Sequence, residues 1–89
     1  MNNFRTQLEA IGSALLLIER LDDDAVWALE VTNQDTAEEP TVLNIFAEIR
    51  QWSRIIERLH LGSGVDAGDK FISFRKGTLY ISIIEEEKR

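Results

Sequence analysis

The sequence predicts an α+β fold: a two-layer α-β-α-β-β sandwich with a three-stranded, mostly antiparallel sheet and both helices packed on one face. Three observations lead there. Apolar residues recur at spacings of three and four in two stretches, near the N-terminus and between Pro40 and Leu61, which is the period of an amphipathic helix. Residues 25–32 alternate, as a half-buried strand does. Residues 70–84 form two alternating runs around Lys76-Gly77, the pattern of a β-hairpin.

Each element follows from its residues. Asn2 or Asn3 can cap a first helix over about 3–21, because an Asn side chain accepts from free backbone N–H groups. Phe4, Leu8, Ile11, Leu15 and Ile18 make its apolar stripe, with Ala14, Leu17 and Leu21 extending it. Gly12 sits mid-helix at a cost of about 1 kcal/mol relative to Ala, which predicts that another element approaches closely there. Asp22, Asp23 and Asp24 make a polar turn. In the following strand, about 25–32, Trp27, Leu29 and Val31 face the core.

A polar loop, 33–39, leads to the second helix, about 40–61, which Pro40 can open since its missing N–H does no harm in the first turn. Val42, Ile45, Ile49, Trp52, Ile56 and Leu59 form its stripe, widened by Leu43, Phe46 and Ile55. Gly62 is the expected left-handed stop, and 62–69 the expected flexible loop. Its glycines follow a helix and open a strand, the reverse of the context in which a phosphate loop works. In the hairpin, pairing Arg75 with Thr78 sets Phe74 opposite Leu79 and Ile72 opposite Ile81 on one face. Ser73 then meets Tyr80, and Phe71 meets Ser82, on the other. Residues 85–89 are a charged tail. The last strand is expected between the other two, antiparallel to both.

One domain is expected over residues 1–89. Cysteine is absent, which excludes disulfides, thiol catalysis and thiolate metal sites. Neither a membrane span nor a secretory leader is legible, so the expected compartment is the cytoplasm. The net charge of −6 is lopsided. Residues 1–48 hold ten acids and two bases, whereas 49–89 hold six acids and eight bases. No broad basic footprint exists, so direct nucleic-acid binding is only the weaker alternative, left to the ridge of Arg50, Arg54 and Arg58.

The residues able to carry chemistry are few. The three aspartates lack the alternating ligands and the glycine of a calcium loop. One His stands alone, and no Ser lies in a nucleophile context, so no enzyme, metal or cofactor is expected. Surfaces are more informative. Phe71 and Tyr80 fall on the sheet face that the helices leave open, a mixed aromatic and hydroxyl surface of the kind interfaces use. Arg50, Arg54 and Arg58, four apart, would line one side of the second helix as an anion-binding ridge. The expected function is a small acidic, self-associating protein-binding module, an adaptor, immunity-type protein or inhibitor. The partner is another protein or a second copy. The alternative is a nucleic-acid mimic whose phosphate track begins at Asp22–Asp24.

Overall fold

A computed structural model describes residues 3–32, 41–77 and 79–86, with the side chains of 3–7 outside the description. The capping role of Asn2, the loop 33–39, Pro40, Thr78 and the tail beyond 86 therefore lie outside the described residues. The protein is α+β, with two helices and a mixed sheet of five strands. The elements are α1 (Asn3–Ile18), β1 (Ala28–Thr32), β2 (Thr41–Ala47), α2 (Trp52–Leu59), β3 (Asp66–Ala67), β4 (Phe71–Lys76) and β5 (Leu79–Glu85). A short 3-10 turn, Ile49–Gln51, leads into α2. The strand order is β1-β2-β5-β4-β3, antiparallel throughout except for the parallel β2–β5 pair.

The expected helix over 40–61 is two elements. Its first third is the strand β2, in which Thr41, Leu43, Ile45 and Ala47 are buried while Val42, Asn44 and Phe46 are half-buried. Thr41, Val42 and Ile45 are β-branched and favour this pleated conformation. A strand flanked on both sides and apolar on both faces has no polar side to announce its period of two, so a helical stripe can be drawn through the same letters. Trp52 marks the change of element. Its indole Nε1 donates to the Ala47 carbonyl at 3.0 Å, tying the start of α2 to the end of β2.

The three-stranded sheet is corrected to five strands by β2 and by β3, which replaces part of the expected loop 62–69. Strand directions hold: β1 runs antiparallel to β5 and in the same direction as β4, but β2 is interposed between β1 and β5. The hairpin register differs from the expected one by two residues. Lys76 pairs with Leu79, Phe74 with Ile81, Ile72 with Ile83 and Phe71 with Ile84. Lys76 therefore belongs to the ladder and not to the turn. Gly77, which follows it, has φ +64, where a side chain would be strained. A shift of two leaves every side chain on its expected face.

The helix-covered face carries the core. Leu43, Ile45, Ala47, Phe74, Leu79, Ile81 and Ile83 meet Ala14 and Leu17 of α1 and Ile55 and Leu59 of α2. The buried face of α1 is Ala10, Ala14 and Leu17, whereas Leu8 and Leu15 of the expected stripe point to solvent. The helix turns its small residues inward and so lies close to the sheet. At the other end, α2 stops at Leu59 rather than at residue 61; Gly62 is left-handed as expected (φ 72), but the residue that caps the helix is His60, also left-handed (φ 54, ψ 47). His60 N–H bonds to Glu57 O at 3.2 Å and Leu61 N–H to Ile56 O at 3.1 Å. Together they make a Schellman cap, with Leu61 and Ile56 as its apolar closure. No described helix is long and apolar enough to cross a membrane.

Candidate interaction surface

The side of the sheet opposite the helices is covered by no described element. Strand register arranges it in three rows. Ala28, Phe46, Ile84 and Phe71 lie abreast across β1, β2, β5 and β4 and make an apolar row. One step along the strands, Glu30, Asn44, Ser82 and Ser73 make a polar row, which β3 extends with Asp66. The third row holds Thr32, Val42, Tyr80 and Arg75.

The polar row satisfies itself. Asn44 Nδ2 donates to Glu30 Oε1 at 3.1 Å, and Ser73 Oγ and Ser82 Oγ lie 3.0 Å apart. In the third row the Arg75 guanidinium sits 5.8 Å from the centre of the Tyr80 ring, within cation–π range. Its Nε donates to the Gly77 carbonyl at 3.3 Å. Phe71 is held by a close approach. A Cβ at Gly68 would lie 2.4 Å from its ring, so only glycine fits in that bend. The surface is thus an apolar and aromatic field with its polar groups already paired, a composition suited to being desolvated.

Phe71 and Tyr80 stand on this face as expected, in different rows and on adjacent strands. Val42, Asn44 and Phe46 belong there too and were missed, because 41–47 was assigned to a helix. The signal that could have found them is the alternation Thr41, Leu43, Ile45, Ala47 together with the β-branched residues.

The arginine ridge is divided. Arg50 lies in the 3-10 turn and pairs with Glu48, Nε to Oε2 at 2.8 Å. Arg54 and Arg58 extend from α2 to the aspartate turn. Asp22 receives both, Oδ2 from Arg54 at 2.8 Å and Oδ1 from Arg58 at 3.2 Å, and Asp24 lies 3.5 Å from Arg54. Arg58 Nε also donates to the Arg20 carbonyl at 3.2 Å, placing a cation at the negative end of α1. Of the aspartates, Asp23 and Asp24 are exposed and Asp22 is half-buried. Two members of each feature that the sequence offers as separate partner sites, Arg54 and Arg58 with Asp22 and Asp24, are therefore each other's counter-ions.

A shallow hollow beside them is lined by Asp24, Ala25, Trp27, Glu48, Arg50 and Gln51. Among the described residues no group of three His, Cys, Asp or Glu side chains is placed to hold a metal ion. Compared with family models, characterised proteins and solved structures, the chain finds no match.

Proposed function

We propose that this protein is a small, non-enzymatic, cytoplasmic binding module that docks a partner protein on the open sheet face. The observation that supports it is the row Phe46–Ile84–Phe71, apolar, half-buried and crossed by no described element. The face carries Glu30 and Arg75 on different strands, each engaged by a neighbour, with Asp66 beyond them on β3. A polyanion or polycation gains little there. The partner is a protein that brings an apolar patch of its own, in the manner of an adaptor or inhibitor. The mimic reading draws less support, since Asp22 and Asp24 already hold Arg54 and Arg58.

Capture by the immobilised protein tests this reading. The expected result is a partner retained through 1 M salt, since apolar contacts are not screened, and lost with Tyr80→Ala, Phe71→Ala or Phe46→Lys. A partner that elutes with salt, or that binds all three variants as it binds the parent, overturns it.

A further inference from the structure

The apolar row of the open face is bordered by acids on both sides. Phe46, Ile84 and Phe71 are half-buried and lie abreast on β2, β5 and β4. On one side the polar row runs from Glu30 on β1 to Asp66 on β3, both exposed. On the other side stands Glu86. Its N–H bonds the Ala47 carbonyl at 3.1 Å, which carries the path of β5 one residue further, and alternation puts it on the face of Ile84. Glu30 accepts from Asn44 at 3.1 Å, and Asp66 from the Ala67 N–H at 2.9 Å. Both donors are neutral. No described base pairs with any of the three carboxylates, so their charge is left over. The base that the described strands bring to this face, Arg75, lies two rows from the apolar one.

We infer that the partner docked on the open face is an amphipathic helix, its apolar stripe flanked on both sides by lysine or arginine, laid across the strands along the row. The inference rests on the docking reading above and names the partner's chemistry. Spacing favours a helix. Neighbouring strands are about 4.8 Å apart and a helix advances about 5.4 Å per turn, so three successive turns set one stripe residue each over Phe46, Ile84 and Phe71. An extended segment repeats on one side only about every 6.7 Å and falls out of step. Charge selects the flanks. Rows on one face are about 6.7 Å apart along a strand, close to the half-width of a helix with its side chains, about 5–6 Å. The flanks of such a helix therefore lie over Glu30 and Asp66 on one side and Glu86 on the other. Acidic flanks would set like charges together, whereas basic flanks complement all three carboxylates.

Two synthetic helical peptides of about five turns test this. Both carry the same leucine stripe, one flanked by lysine and the other by glutamate, and fluorescence anisotropy measures their affinity for the protein. In about 0.1 M salt the lysine-flanked peptide should bind at least about tenfold more tightly than the glutamate-flanked one. In about 1 M salt the two affinities should converge while the stripe still binds, because screening removes only the ionic contribution. Glu30→Lys with Glu86→Lys should abolish the preference. Glu9→Lys with Asp23→Lys makes the same change in net charge at exposed positions away from this face, and should keep it. Equal binding of the two peptides by the parent, or binding of neither, overturns the inference. A preference that both double variants lower equally does so too, since the attraction would then be to net charge alone. Failure of the docking reading looks different: both peptides would bind Phe71→Ala and Phe46→Lys as they bind the parent. Peptides bound equally by the parent and both lost with Phe71→Ala would leave that reading standing without this one.

Discussion

Asp22 is the residue on which the connection between α1 and β1 is fixed to α2. Its two oxygens take Arg54 and Arg58, and both arginines are about half exposed, at 46% and 54%. Exposed pairs are worth little singly, but this carboxylate anchors two. Asp22→Asn should cost about 0.5–1 kcal/mol, and the difference should shrink in 1 M salt because the ions are screened. Urea unfolding at low and high salt measures it, and an equal loss at both would show that the contribution is not ionic. His60 is strained in the opposite sense. An L-residue in the left-handed region costs about 1–2 kcal/mol, part of which glycine returns as lost chain entropy. His60→Gly should therefore stabilise the protein by about 0.5–1 kcal/mol, seen as a higher urea midpoint with an unchanged slope. A destabilised variant would mean that the imidazole makes a contact worth more than the strain.

Between Thr41 and Ala47 a strand stands where periodicity predicts a helix, and neighbouring substitutions discriminate the two. On a helix Ile45 and Phe46 are about 100° apart and share one broad apolar side; on a strand they point to opposite faces. Ile45 is fully buried beneath the helices, whereas Phe46 lies half-buried on the open face. Ile45→Lys should abolish cooperative folding, because the core gives an ammonium no partner. Phe46→Lys should keep a cooperative thermal transition and lose only docking. Equal damage from both would remove β2 from the fold. Legibility follows the same physics. The hairpin β4–β5 was readable because its outer face carries several polar groups, so Ser73, Arg75, Tyr80 and Ser82 alternate with Phe74, Ile81 and Ile83. Strand β2 was not, because both its faces are apolar and its neighbours lie far along the chain. The buried side of α1 was misplaced because Ala10 and Ala14 hold the core position while larger leucines face outward. The aspartate and arginine groups were both visible in the sequence, yet only the fold brings them together.

At the scale of the whole molecule, the lopsided charge of the sequence is partly consumed within it. Asp22 and Asp24 from the acidic half neutralise Arg54 and Arg58 from the basic half, while the open sheet face and the outer face of α1 are covered by no described element. The two surfaces differ in what stands behind them. The open face is the reverse side of β2, β5 and β4, and Leu79, Ile81 and Ile83 of β5 are each fully buried. Behind the outer face of α1, the fully buried anchors described are two alanines and Leu17, with Ile18 partly buried against the core. Burial of a large aliphatic side chain contributes about 1.5–3 kcal/mol, and an alanine much less, so α1 is held to the sheet far more weakly than β5 is held within it. For a domain of 89 residues, total stability is roughly 4–13 kcal/mol, large enough for the helix to open before the sheet does. Native-state hydrogen exchange should find the β2 and β5 amides exchanging through global unfolding. The α1 amides should exchange through a sub-global opening at least about 1–2 kcal/mol lower, with a smaller dependence on denaturant. If α1 and β5 exchange with one free energy and one denaturant slope, the small-residue face of α1 is as firm an anchor as the aliphatic core.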